Sequence, residues 1–294
     1  MQTQTFHDDP ARARVMAEIE RLGLQAHVLE LETLGFSVIP GVLSAAQVAR
    51  AQAVILERYA KDTGHRVDPH TEDGARISGQ TYLPYLLYDD PVFADILLAP
   101  APLALISYLL GESCVLSSMG CHFKGPGGEP LPLHSDNGNG MPAPFSPIAY
   151  VANINYALTP YSQAAGALAM VPGSHKHARQ PTAREMRLDH DNPNPRAQAM
   201  NLAPGDAVVW HGNTWHGSFA RQVPGVRMNL AVYCARQFVQ TQEQHEGVVP
   251  AGMQALHAEN PRLAVLLGAK RPYGWRREGP DYAKMARNPR GLYD

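Results

Sequence analysis

Hydrophobic residues in the first 110 positions recur mainly at the three-to-four-residue spacing of amphipathic helices. In the first such stretch Val15, Ile19 and Leu22 lie on one face. A second stretch opens with Ser44, a residue type that caps helix N-termini. We therefore predict a helical N-terminal part that contains a short strand. The predicted helices lie within 8–24, 44–64 and 92–110, the last broken near Pro100, and the strand lies within 34–42.

The pattern changes after residue 113. Short segments rich in valine, tyrosine and phenylalanine alternate with turns rich in glycine, proline and asparagine, which is typical of antiparallel strands in a sandwich or barrel. The polar stretch 175–198 interrupts them and is too long for a structural turn, so we expect it to form a wall or lid of a cleft. The strands are predicted within 112–124, 148–158, 166–174, 205–212 and 226–238.

Composition narrows the class of protein. The 294 residues are 45% hydrophobic and 18% charged, which is ordinary for a globular protein. A net charge of −2 gives no reason to expect nucleic acid or an anionic membrane as partner. The most apolar stretch, 96–110, is too short to span a bilayer, and the N-terminus has no secretory pattern. Three cysteines without a CxxC motif are expected to be buried thiols in a cytoplasmic protein.

The chain shows no internal repeat and no linker composition, which predicts a single domain over 1–294. Within it we expect a helical part at about 1–112, a β core at about 113–240 and a C-terminal extension at about 241–294. The sequence leaves open whether the protein is a monomer or a homodimer.

The stretch LPLHSDNGNG, residues 131–140, contains candidate metal ligands. His134 and Asp136 are two positions apart, so on an extended strand end both side chains point to the same side. An imidazole and a carboxylate together suit a first-row metal, and one more histidine completes a facial triad. His211 and His216 are both available for it, in GDAVVWHGNTWHGS. Taken alone, an HxD motif is equally compatible with a surface turn.

The segment VRMNLAVYCAR carries a second unusual feature. On an extended strand Arg227 shares one face with Asn229, Ala231 and Tyr233. An inward arginine among small and polar residues is unusual for a hydrophobic core. Close to a metal, its planar guanidinium is suited to bidentate binding of a substrate carboxylate.

Taken together, LGFSVIPGVLSAAQV, LPLHSDN, GALAMVPGSHK, GDAVVWHGNTWHGS and VRMNLAVY resemble the phytanoyl-CoA dioxygenase family of iron(II)- and 2-oxoglutarate-dependent oxygenases. The resemblance implies a mainly β fold with flanking helices, a double-stranded β-helix of the jelly-roll type. It also implies that His134, Asp136 and His216 bind iron. By the same family pattern Arg227 binds the distal carboxylate of 2-oxoglutarate, with Ser218 and Asn155 as further cosubstrate contacts.

The resemblance further implies oxidation of a small organic molecule by O2, with release of succinate and CO2. Halogenating relatives replace the carboxylate ligand with a small residue, so Asp136 favours hydroxylation, desaturation or a rearrangement. Asn137, Tyr82 and Tyr85 are candidate substrate contacts. Since no basic cluster stands out for coenzyme A, we expect a free small molecule, of the kind found in secondary metabolism. The sequence departs from the family at Ala165, where many relatives have asparagine, and no role is assigned to it.

The sequence leaves two alternative functions open. A cupin-like metalloenzyme, such as an isomerase, would use the triad without 2-oxoglutarate, and Arg227 argues against it. A non-catalytic jelly-roll protein that only binds a ligand would have no need for an intact metal triad.

Overall fold

The structure, a computed structural model, describes residues 10–73, 80–138, 140–189, 193–245, 260–268, 278–280 and 282. The predicted helices are present, and the third is divided at Pro100 into two helices that meet at 56°. The Ser44 hydroxyl accepts a hydrogen bond from the Gln47 backbone in a capping box, and Gly64 ends that helix in the left-handed conformation. The helices are α1 (Pro10–Arg21), α2 (Gln25–Leu34), α3 (Ala45–Thr63), α4 (Pro91–Leu97), α5 (Pro100–Leu110) and α6 (Pro261–Leu266).

Within the described ranges, ten strands form two antiparallel sheets. The large sheet has the strand order β1-β8-β5-β10-β3-β2 and the small sheet β4-β9-β6-β7. The strands are β1 (Phe36–Ile39), β2 (Gln80–Leu83), β3 (Val115–Lys124), β4 (Leu131–His134), β5 (Val151–Ala157), β6 (Leu168–Met170), β7 (Gln198–Ala199), β8 (Ala207–His211), β9 (His216–Ser218) and β10 (Arg227–Ala235). This is the expected mainly β fold of the jelly-roll type with flanking helices, and its barrel is not closed.

The two faces of β10 separate the core from the functional side of the large sheet. Met228, Leu230 and Val232 are buried in the same hydrophobic cluster as the residues of α3, α4 and α5. The alternate residues, which include Arg227 and Asn229, point to the opposite face, as the two-residue period requires. The helices therefore cover one face of the large sheet, and the polar residues of β10 lie on the other face.

Two further features of the described residues concern the cysteines and possible membrane spans. Cys114, Cys121 and Cys234 are buried and free. No single helix is long and apolar enough to cross a membrane; the bent pair α4 and α5 passes that test together, by length and composition only.

Candidate metal centre

The small sheet brings two histidines side by side. His134 ends β4 and His216 begins β9, and the two residues are direct partners in the antiparallel pairing. Their ring centroids are 4.4 Å apart. Asp136 follows in a short 3-10 turn, where its backbone N–H donates to the carbonyl of Gly212 at 3.0 Å.

The three side chains converge on one point. Asp136 Oδ1 lies 3.7 Å from His134 Nε2, and Asp136 Oδ2 lies 3.6 Å from His216 Nε2. One potential ligand atom from each residue lies within 4.8 Å of the others. Throughout the described ranges, no other three histidine, cysteine or acidic side chains form such a group.

The backbone fixes which ring nitrogen of each histidine faces this point. Nδ1 of His134 lies 2.9 Å from the carbonyl oxygen of Pro132, and Nδ1 of His216 lies 2.9 Å from that of Thr214. A carbonyl only accepts, so Nδ1 carries the proton and the Nε2 lone pair is available. Burial lowers the pKa of His216 to about 4, which keeps this ring neutral near pH 7. Two imidazole nitrogens and one carboxylate fit a divalent first-row metal.

Asn153, on the large sheet, contacts the metal-ligand cluster through Asp136. Its side-chain amide donates to Asp136 Oδ2 at 2.7 Å, and the residue is buried on β5. Sequence reasoning missed this contact. Alternation places Asn153 and Asn155 on the same face of the strand, and the sequence does not distinguish which of them reaches Asp136.

His211 lies outside the cluster. Its Nδ1 accepts from the Asn213 backbone N–H at 3.0 Å, and its Nε2 lies 3.2 Å from the carbonyl oxygen of Pro147. Both ring nitrogens are therefore engaged with the backbone. Of the two candidate histidines, the structure brings His216 to His134 and Asp136.

Arg227 is a buried cation on the face of the large sheet that lies opposite the helices. Only 2% of its surface is exposed, and burial lowers its pKa. One guanidinium nitrogen donates to the carbonyl of Gly166, while Nε has no hydrogen-bond partner. No carboxylate of the described residues forms an ion pair with Arg227. A buried charge without a counterion is costly, so this position favours a bound anion.

Lys124 places a second cation beside Arg227. The two residues are partners in the pairing of β3 with β10, and Lys124 is fully buried. Its ammonium donates to Ser218 Oγ at 2.7 Å and to the carbonyls of Glu129 and Phe219 at 2.8 and 2.9 Å. Burial, followed by the charge of Arg227, lowers the pKa of Lys124 to about 7. Lys124 thereby joins Ser218 to the strand that pairs with Arg227, and nothing in the sequence pointed to Lys124.

Several buried polar atoms on β5 and β10 and at Tyr161 have no hydrogen-bond partner in the described structure. They are the Asn155 and Asn229 side-chain oxygens and the hydroxyl of Tyr161, whose ring lies 5.7 Å from the Arg227 guanidinium carbon. Gly166 closes this region in a left-handed conformation with φ +77°, and a Cβ there would lie 2.9 Å from Lys124 Cδ. Since buried polar groups are nearly always paired, these atoms indicate a site for a polar ligand.

The predicted substrate contacts lie in three different settings. The Tyr82 ring lies 4.6 Å from that of His122 and is 38% exposed. The Tyr85 hydroxyl accepts from the Gln244 backbone, and its own backbone N–H donates to Glu243. Asn137 is buried, and its amide nitrogen donates to Asn213 at 2.7 Å, so it braces the turn behind the ligands. Contact of these three residues with a substrate stays a prediction.

Comparison with known proteins adds a family match. The family model described as phytanoyl-CoA dioxygenase (PhyH) matches residues 31–229. Among curated proteins, the chain is similar to "Dioxygenase af480" of Aspergillus fumigatus, with 28% identity over 212 residues. That match covers 71% of this chain and 65% of the relative, so the chain spans just under two thirds of the relative's length.

Solved structures share the fold. HygX from Streptomyces hygroscopicus with nickel and 2-oxoglutarate bound matches with a TM-score of 0.59 and 21% identity, covering 74% of this chain and 88% of HygX. SnoK, a non-heme α-ketoglutarate-dependent carbocyclase from nogalamycin biosynthesis, matches with a TM-score of 0.55 and 21% identity, covering 79% and 90%.

Proposed function

The chain belongs to the phytanoyl-CoA dioxygenase family, and we propose that it works as an iron(II)- and 2-oxoglutarate-dependent dioxygenase whose metal is bound by His134, Asp136 and His216. Iron in such a site supplies the oxygen chemistry, and the protein supplies ligand geometry, orientation and a shielded cavity. Two imidazole Nε2 atoms and one carboxylate that lie close together support this assignment.

The observation that carries the cosubstrate assignment is the buried, unpaired Arg227. We propose that its guanidinium binds the distal carboxylate of 2-oxoglutarate, which supplies the missing counterion. The Ser218 hydroxyl already accepts from Lys124, so its own hydrogen is free to donate to the same carboxylate. The unpartnered oxygen of Asn155 supports a further polar contact in this pocket.

Within this site the chain's own residues bind and orient. Asn153 holds the Asp136 carboxylate through a charge-assisted hydrogen bond, and the Pro132 and Thr214 carbonyls hold the two imidazoles. Lys124 ties β3 of the large sheet to Ser218 of the small one. The ligands and the cosubstrate pocket are therefore set before anything binds, which lowers the entropy cost of binding.

For the reaction, we propose hydroxylation of a small organic molecule, with succinate and CO2 as coproducts. A carboxylate at position 136 supports oxygen insertion over halogenation. The similarity to SnoK, an enzyme of nogalamycin biosynthesis, supports a substrate from secondary metabolism. Product mass separates the outcomes: hydroxylation adds one oxygen atom, ring closure or desaturation removes two hydrogens, and epimerisation leaves the mass unchanged.

The test needs no known substrate at the outset. Anaerobic addition of iron(II) and then 2-oxoglutarate is expected to give a visible charge-transfer band, because the cosubstrate chelates the metal. His216→Ala is expected to abolish the band, and His211→Gln, a neighbouring histidine outside the cluster, is expected to retain it. Succinate release in a screen of natural products then identifies the substrate. Iron binding with no response to 2-oxoglutarate would support a cupin-like enzyme instead.

We also propose that residues 1–294 fold as one domain, since α1 to α5 pack on the large sheet in one hydrophobic cluster. A single cooperative unfolding transition is the expected result.

A further inference from the structure

We propose that Gln180, in the long polar loop, is a positioning residue for the metal-ligand pair His134 and Asp136. This role rests on the proposed function, because it assumes that those two residues bind a metal. The loop between β6 and β7 would then do more than form a wall of the cleft. It would hold the ligand-bearing strand in place.

The strand β4 needs a partner on its outer side. It pairs with β9 along one edge only, so it is an edge strand. The backbone N–H and C=O groups on its other edge have no partner strand. The polar loop takes the place of the missing neighbour. The Leu133 backbone N–H donates to the Met186 carbonyl at 2.9 Å.

Gln180 continues this pairing with its side chain. Its Oε1 accepts from the Ser135 backbone N–H at 2.9 Å, and its Nε2 donates to the Ser135 carbonyl at 2.7 Å. Ser135 lies between the two predicted ligands in the chain and is buried. One amide side chain thus satisfies both backbone groups of the residue that sets the angle between His134 and Asp136.

The position of Gln180 is itself fixed next to the other ligand. The indole N–H of Trp215, the residue before His216, donates to the Arg179 carbonyl at 2.9 Å. The Arg179 guanidinium carbon lies 4.9 Å from the centre of the Trp215 ring, and Arg179 forms an ion pair with Glu185 at 2.7 Å. The same short piece of loop therefore contacts the strands that carry both histidines.

The consequence is measurable as metal affinity. Without Gln180, the Ser135 peptide groups lose their only side-chain partners in the described structure, and the turn from β4 into Asp136 has more freedom. A metal must then order the ligands on binding, which weakens the affinity. Loss of an outer partner of a metal ligand typically costs about 10–100-fold in affinity. Because Gln180 acts through the backbone, we expect the lower end, about tenfold.

The experiment uses cobalt(II) as the probe, because its visible absorption reports ligand geometry as well as occupancy. Gln180→Met keeps the length of the side chain and removes both hydrogen bonds, whereas Gln180→Glu keeps the acceptor and removes the donor. Gln180 is exposed, so neither change opens a cavity in the core. The matched control is Arg184→Met, an exposed residue of the same loop.

We expect cobalt affinity to fall about tenfold in Gln180→Met, to fall less in Gln180→Glu, and to stay at the wild-type value in Arg184→Met. The cobalt spectrum of Gln180→Met should also shift. Wild-type affinity and an unchanged spectrum in Gln180→Met would overturn the proposal, and so would a lower melting temperature of the metal-free variant with unchanged affinity. Failure of the wild-type protein to bind cobalt would overturn the metal site itself, a result distinguishable from the others.

Discussion

Replacing Arg227 with methionine should weaken cosubstrate binding without lowering the stability of the metal-free protein. Methionine has a similar length and no charge, so the variant removes the guanidinium without leaving a large cavity. The wild-type side chain is 2% exposed, donates to the Gly166 carbonyl and has no carboxylate partner in the described chain. Its charge therefore destabilises the ligand-free fold and favours the binding of an anion.

The loss in binding follows from the hydrogen bonds. A hydrogen bond to an ionised group contributes about 1.5–3 kcal/mol, and a guanidinium offers two to a carboxylate. Even at the lower value, two such bonds amount to about 3 kcal/mol, or about a hundredfold in affinity. Arg227→Lys keeps the charge but loses the planar guanidinium that binds a carboxylate through two hydrogen bonds. Its affinity for 2-oxoglutarate should therefore lie between those of the wild type and the methionine variant.

The change in stability is the sum of two effects. Methionine leaves the Gly166 carbonyl without its partner, which costs about 1–3 kcal/mol. It also removes a buried, uncompensated charge, whose effective penalty is several kcal/mol. We therefore expect the free energy of unfolding of the metal-free protein to stay the same or to rise by about 1–3 kcal/mol.

The assay combines 2-oxoglutarate titration of the cobalt-loaded protein with urea unfolding of the metal-free protein. Arg221→Met is the matched control, because Arg221 is also a buried arginine but donates to two carbonyls, those of Ala165 and Pro224, whereas Arg227 donates to one. That variant should lose stability and keep its affinity for 2-oxoglutarate. Unchanged affinity in Arg227→Met would refute the assignment of the carboxylate site. Strong destabilisation of the metal-free variant would refute the argument about its charge.

Three further results are expected. Asn153→Leu removes the donor to Asp136 and should lower cobalt affinity about 10–100-fold in a direct titration; equal affinities would show that this hydrogen bond is dispensable. In Gly120→Ala, the added Cβ would overlap the Tyr82 ring, so urea unfolding should show a loss of about 1–3 kcal/mol, and a neutral effect would contradict the packing. Burial lowers the pKa of four histidines to about 4: His122, His211, His216 and His245. Between pH 6.5 and 4 these histidines bind protons in the unfolded chain but not in the folded one, so acid should lower the free energy of unfolding of the metal-free protein by about 1.4 kcal/mol per pH unit for each. Urea unfolding across this range tests the prediction: replacing one of the four with glutamine should flatten the profile, and a free energy of unfolding that does not change with pH would contradict it.

The sequence predicted those parts of the fold that carry local signals. α3 has its serine cap and terminal glycine, and β10 has a clear two-residue alternation. α2 was missed because its N-cap position is Leu24, whose side chain makes no capping hydrogen bond, so nothing marked its start. β4 was also not predicted as a separate strand: it has four residues and contains Pro132, which an edge strand tolerates.

At the site, the ligands were predictable and most of their partners were not. The spacing of His134 and Asp136, and the family pattern for His216, identified the cluster. Asn153, Lys124 and Gln180 act across the space between the sheets or between a loop and a strand. Their sequence neighbours do not differ from those of ordinary amides and lysines, so only tertiary structure reveals what they touch.

The division of the site between the two sheets has a consequence for the lifetime of the protein. His134, His216 and Ser218 belong to the small sheet, whereas Asn153 and Arg227 belong to the large one. A bound metal and cosubstrate would join the sheets and stabilise only the assembled fold, by an amount that grows with their concentration. We expect a cell short of iron to degrade this protein faster, so that its abundance follows the supply of its own ligands.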